Sequence, residues 1–170
     1  MPDSPGAASR DTVRAAEVDI RTHKDSPGEH TNSGQADPAG TAMPATILVV
    51  DDNAINRQLA ADILGSRGFA VLQASDAVSA MDLIERHRPD AVLMDVQMPG
   101  MNGLEAIAAI RRHADPIVAA TPIAAITALA MPGDKERCID AGADLYMPRP
   151  VHLQSLLDQV AYLVKLRPRA

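Results

Sequence analysis

From Thr46 onward, short runs of apolar, β-prone residues alternate with amphipathic stretches, and this alternation limits the possible folds more than any other feature. It is the signature of βα units, whose strands lie parallel because each helical crossover carries the chain back to the same edge. The runs predict strands at 46–50, 70–74, 91–95, 123–127 and 144–147. Five helices are predicted to follow them. The first starts at Asn53, a good cap, and carries Ile55, Leu59, Ile63 and Leu64 to a break at Gly65 and Gly68. The second carries Val78, Met81, Leu83 and Ile84 and ends before Pro89, and the third carries Leu104, Ile107 and Ile110 and stops before Asp115-Pro116. The fourth runs from Gly133 to Ala141 with Gly142 as its C′ residue, and the fifth places Leu153, Leu156, Leu157, Val160, Leu163 and Val164 on one face.

Acids stand where two of these runs end. Asp51 and Asp52 follow Ile47-Leu48-Val49-Val50, and Asp95 follows Ala91-Val92-Leu93-Met94. Open α/β sheets bind ligands at the carboxyl ends of their strands. Two adjacent acids there also suit the N-terminal dipole of the next helix, so Asp51 and Asp52 alone leave a capping role open. Asp95 shifts the balance, because the turn-rich loop Val96-Gln-Met-Pro-Gly-Met-Asn-Gly103 is expected to leave its carboxylate exposed at the sheet edge. Three carboxylates held together raise one another's pKa unless a cation joins them, and their oxygens suit Mg²⁺ beside a phosphate.

Two further strand ends contribute. Thr127 closes the fourth run beside small Ala128, where its hydroxyl can donate to a phosphoryl oxygen or serve only as a β-branched strand residue. In Tyr146-Met-Pro-Arg-Pro150, Arg149 can balance the acids and hold a transferred phosphoryl group, or remain a solvated surface charge. Pro148 cannot donate a ladder hydrogen bond, which predicts that the fifth strand lies at an edge.

Composition excludes several classes. The net charge of −6 opposes a nucleic-acid partner, as does the presence of only three aromatics, Phe69, Tyr146 and Tyr162. Residues 1–44 hold seven acids and four bases and residues 45–170 hold fifteen and twelve, so each part contributes −3 and neither is a basic arm. Cys138, the single cysteine, rules out an internal disulfide and reads as a small buried hydrophobe. The most apolar stretch, Ile117 to Met131, is too short for a membrane span, and a cytoplasmic location is expected. Residues 1–44, with five prolines, four glycines and few large apolar side chains, are expected to form a disordered, low-complexity tail. Within that tail, residues 11–20 have some helical patterning, with Asp11 as cap and Val13, Ala16 and Ile20 on one face. His87, His113 and His152 are expected at the surface, and His23 and His30 lie in the tail.

Val50-Asp-Asp-Asn53, Met94-Asp95, Met98-Pro-Gly-Met-Asn-Gly103, Thr127-Ala128, Ala141-Gly-Ala-Asp144 and Tyr146-x-x-Arg-Pro150 together resemble the receiver domains of two-component response regulators, over about residues 45–167. Asn53-x-x-Asn56-Arg57 and Cys138-x-x-Ala-Gly142 are similar to receivers that work with hybrid histidine kinases. The resemblance implies an α/β, flavodoxin-like domain at 45–170 with strand order 2-1-3-4-5. It further implies a phosphoryl group accepted on Asp95 from a histidine kinase or phosphotransfer protein, and Mg²⁺ held by Asp51, Asp52, Asp95 and the Gln97 carbonyl. Thr127 and Tyr146 would form the switch pair that signals to a protein partner, the Arg149–Pro150 bond would be cis, and Gln97 and Leu129 would tune hydrolysis. The only catalysis expected is of the domain's own phosphorylation and dephosphorylation.

In one position the chain departs from that pattern: the family carries Lys where this chain has Arg149. Charge is kept while shape changes, so Asp95 is expected to accept phosphate with altered coupling to Thr127 and Tyr146. Two rivals remain. A degenerate receiver would dock partners without phosphorylation. A haloacid-dehalogenase-type phosphatase needs a second Asp two residues after its nucleophile, whereas Asn53 occupies that place after Asp51. After the fifth helix only Arg167-Pro-Arg-Ala170 remains, so output is expected through a partner, onward phosphotransfer or the tail.

Overall fold

In the computed structural model, residues 43–128 and 131–168 are described. The expectations for residues 1–42, including the patterned segment 11–20, and for Leu129 lie outside them. Five strands, β1 (Thr46–Val50), β2 (Ala70–Ala74), β3 (Ala91–Asp95), β4 (Ile123–Thr127) and β5 (Leu145–Pro148), pair in parallel in the order β2-β1-β3-β4-β5. The order places β5 at an edge, where Pro148 costs no ladder bond. Among the described residues six helices flank the sheet: α1 (Ala54–Gly65), α2 (Ala77–His87), α3 (Gly103–Arg111), α4 (Pro116–Ala119), α5 (Asp134–Asp140) and α6 (Leu153–Leu166). None is long and apolar enough to cross a membrane.

The strand pleat sorts the core into two layers. On β1, Ile47 and Val49 join Leu64 of α1 and Leu156, Val160 and Leu163 of α6, while Leu48 and Val50 join Ile84 of α2 and Ile107 and Ile110 of α3. β3 alternates likewise, with Ala91 and Leu93 on the first side and Val92 and Met94 on the second. Both faces of the sheet are covered, which is why these strands read as continuous apolar runs.

Three expectations need correction. A sixth helix, the single turn α4, follows α3 where the sequence pattern predicts only a stop. Asp115-Pro116 both ends one helix and starts the next, because the Asp115 carboxylate accepts the Ile117 N–H at 2.9 Å and Pro116 needs no donor at N1. β5 begins one residue later than predicted, since Asp144 turns its carboxylate to the Ile123 N–H at 2.8 Å. Ile55, Leu59, Val78 and Leu153, expected on the apolar faces of their helices, stay exposed, while Leu64, Ile84, Leu156 and Leu157 of the same helices are buried. Cys138 is buried as expected, and that burial raises its thiol pKa, with Asp134 adding to the effect.

Arg111 ties α3 to the β4 and β5 ends of the layer. It donates to Gly142 O at 2.7 Å, to Ala119 O and Thr121 O at 2.8 Å, and to the Asp144 carboxylate at 2.7 Å. Four bonds from one half-buried guanidinium predict that Arg111→Ala lowers unfolding free energy by about 2–4 kcal/mol in chemical denaturation. Arg111→Lys should recover only part of it, because one ammonium cannot reach four partners.

Candidate phosphoryl-transfer site

β1 and β3 are neighbours in the sheet although β2 separates them in sequence, so the chain reverses its winding direction between them and leaves a crevice at their carboxyl ends. Asp51 lies just past β1 and Asp95 ends β3, on opposite sides of that crevice. The pleat decides which face they take. Asp51 continues the alternation of Ile47 and Val49, Asp95 that of Ala91 and Leu93, and Arg149 that of Met147. All three therefore turn to the face covered by α1 and α6. Thr127 and Tyr146 have the opposite parity and turn toward α5.

Local bonds hold each acid. Asp51 is 4% exposed, and its Oδ1 accepts the Asn53 N–H at 2.8 Å. Asn53 in turn caps α1, accepting from Ile55 N at 2.9 Å. Arg57, one turn into α1, donates through Nη1 to Asp51 O at 2.7 Å and to Asp52 O at 3.3 Å, clamping the backbone of both acids. Asp95 is also 4% exposed, which corrects the expectation of an exposed carboxylate: it lies at the sheet edge but is buried, and its Oδ1 accepts the Gln97 N–H at 3.1 Å. Asp52 is exposed. One carboxylate oxygen from each of Asp51, Asp52 and Asp95 lies within 4.8 Å of the others.

Arg149 enters this group from β5. Its backbone N–H donates to Thr127 O at 2.7 Å, and the peptide bond to Pro150 is cis. Its Nη2 donates to Asp51 Oδ2 and lies 3.5 Å from Asp95 Oδ2. Burial raises the pKa of Asp95. The Gln97 N–H and the Arg149 charge oppose the rise, while Asp51 and Asp52 add to it. Three hard oxygen donors with one guanidinium in contact therefore fit a divalent oxygen-seeking cation. A cavity of about 570 Å³, lined by Asp51, Asn56, Ala128, Arg149 and Pro150, opens from the acids along α1. A second cavity of about 340 Å³, lined by Gln97, Thr127, Asp134 and Cys138, lies on the α5 side.

The structure thus brings Asp51, Asp52, Asp95 and Arg149 into one group. Gln97 stands beside it, Thr127 is buried at the adjoining strand end, and half-buried Tyr146 lies one strand further on. Two contributors were not singled out as site residues by the sequence. Arg57 is one, visible only as part of a motif. Gly103 is the other: a Cβ there would stand 2.1 Å from Asp95 O and 2.7 Å from Val96 Cα, so the loop after Asp95 closes only over glycine.

Gly103→Ala should therefore cost about 2 kcal/mol or more of stability and displace the Asp95 backbone, which amide chemical shifts around Gln97 would report. A second prediction follows from Asp95 itself. Its folded-state pKa is raised, so its contribution to stability is fullest at low pH and is lost as pH rises through the folded-state titration. In EDTA, Asp95→Asn should melt at a higher temperature than wild type near pH 7, with the gap closing toward about pH 4.

Comparison with known proteins follows the same lines. The family model of the response regulator receiver domain matches residues 47–161. The polar-differentiation response regulator DivK of Brucella anthropi is 32% identical over 118 residues, covering 69% of this chain and 94% of the relative. The response regulator MprA of a Mycobacterium species (strain KMS) is 40% identical over 123 residues, covering 72% of this chain and 52% of the longer relative. Among solved structures, the receiver domain of the sensor histidine kinase PA1611 from Pseudomonas aeruginosa PAO1 has a magnesium ion in its active-site cleft. It is 34% identical with a TM-score of 0.65, covering 72% of this chain and 98% of that one. The chain belongs to the response regulator receiver family, whose members accept a phosphoryl group and signal through it.

Proposed function

We propose that Asp95 is the phosphoacceptor and that the domain takes its phosphoryl group from a histidine kinase, a phosphotransfer protein or a small phosphodonor. One observation carries this reading: the carboxylate of buried Asp95 shares the crevice between β1 and β3 with those of Asp51 and Asp52 and has the Arg149 guanidinium 3.5 Å away. Asp51, Asp52, Asp95 and the Gln97 carbonyl would hold Mg²⁺, which when bound neutralises charge on the phosphoryl oxygens.

The chain's own residues do the rest. A carboxylate oxygen of Asp95 attacks phosphorus in line, the C–O–P linkage forms, and the bond to the donor nitrogen or oxygen breaks with its electron pair left on the donor. The Gln97 N–H holds Asp95 in orientation, and Arg149 stabilises the negative charge on the transferred group. Small Ala128 leaves space beside the acids. Thr127 then donates to a phosphoryl oxygen, and Tyr146 turns toward the space on the α5 side, where the cavity beside Thr127 leaves room for rearrangement. The surface formed by α5 and β5 changes as a result, and a protein partner reads that change.

Incubation with acetyl phosphate and Mg²⁺ should add one phosphoryl group by intact mass. Asp95→Asn or EDTA should abolish the addition, and persistence of the added mass in Asp95→Asn would overturn the assignment. Arg149→Lys should keep the addition while altering the phosphorylation-dependent NMR shifts of Tyr146. Unchanged kinetics and unchanged shifts would show that Arg149 and Lys are equivalent here.

A further inference from the structure

Arg149 makes its firmest contact with Asp51, one of the proposed metal-binding acids, rather than with the proposed phosphoacceptor. Its Nη2 donates to Asp51 Oδ2, whereas Asp95 Oδ2 stands 3.5 Å away. The other Asp51 oxygen already accepts the Asn53 N–H. Both oxygens of this buried carboxylate are thus engaged, and Asp52 is the acid whose carboxylate has no hydrogen-bond or ion-pair partner among the described residues. A guanidinium suits this role, being planar, permanently charged and more weakly hydrated than an ammonium, so it meets a buried carboxylate at less desolvation cost.

We propose that Arg149 is a competing internal cation on Asp51, so that a divalent metal enters by exchange and drives the guanidinium from Asp51 toward Asp95. The inference rests on the reading of Asp95 as phosphoacceptor and adds the residue that sets its metal requirement. The swing it needs is short, because one nitrogen already stands near both carboxylates. The Arg149 backbone stays anchored by Thr127 O, so only the side chain has to move. Metal binding thereby also places the guanidinium beside the acid that receives the phosphoryl group. Without metal, the ion pair with Asp51 keeps the site closed to transfer.

The test uses the full chain without a phosphodonor. Mg²⁺ affinity is measured by calorimetry for wild type, Arg149→Lys and Arg149→Gln, and the arginine side-chain ¹⁵N signals of wild type are followed through the titration. Exchange predicts that both variants bind Mg²⁺ more tightly, on the order of tenfold for Gln and severalfold for Lys, which keeps the charge on a more strongly hydrated, more flexible ammonium. It also predicts that the Arg149 signals move as Mg²⁺ saturates. A Lys variant that binds Mg²⁺ no more tightly than wild type overturns the proposal, because simple charge repulsion would leave Lys and Arg alike. Unmoved Arg149 signals at saturation overturn it too, and that reading needs no variant to fold. Acetyl phosphate labelling of wild type at saturating Mg²⁺ separates the two claims: labelling with unchanged affinities defeats the exchange alone, while no labelling defeats the phosphoacceptor reading.

Discussion

Three carboxylates share one end of the sheet with a single guanidinium in contact among the described residues, that of Arg149, bound to Asp51 and 3.5 Å from Asp95. Burial raises the pKa of Asp95 and the neighbouring acids raise it further, so this charge arrangement opposes the stability of the metal-free fold at neutral pH. The surrounding architecture keeps the charges together. Arg57 clamps the backbone of Asp51 and Asp52, the Gln97 N–H orients Asp95, and Thr127 O anchors the backbone of Arg149. Each support comes from a different element, so the site depends on the whole β1-β3-β4-β5 edge being in register.

The parallel sheet supplies that register. Its pleat sends Asp51, Asp95 and Arg149 to the α1 and α6 face and sends Thr127 and Tyr146 toward α5. The proposed chemistry and the proposed readout thereby occupy opposite faces of one edge, joined by the Arg149 N–H bond to Thr127 O. Gly103 belongs to the same design. Backbone atoms of Asp95 and Val96 fill the space a side chain would take, which lets α3 start directly beneath the site.

Much of this was legible in the sequence, for stated physical reasons. Strands buried on both faces read as apolar runs with sharp ends, so β1, β3 and β4 and the acids at the ends of β1 and β3 could be placed residue by residue. Asn53 announced α1 because its side chain can bond the first free N–H groups, and Pro148 announced an edge because it lacks a donor. What escaped was set by three-dimensional closure. Arg111 and Arg57 act through bonds to backbone carbonyls, which leave no periodic trace in the sequence. Asp115-Pro116 serves as both stop and start, so α4 was invisible to a rule that reads only one of those meanings. Leu59 and Leu153 fit helical periodicity yet stay exposed, because periodicity gives a face without saying how far the opposing layer extends.

Under the proposed function, the acids and the guanidinium gathered around Asp95 serve to make an acyl phosphate on it. Reducing the phosphorylated protein with borohydride converts an aspartyl phosphate to homoserine, and peptide mapping then locates the converted residue. Homoserine is expected at position 95 and nowhere else. Conversion at Asp51, at Asp52 or at no acid in a protein that carries the added phosphoryl mass would contradict it.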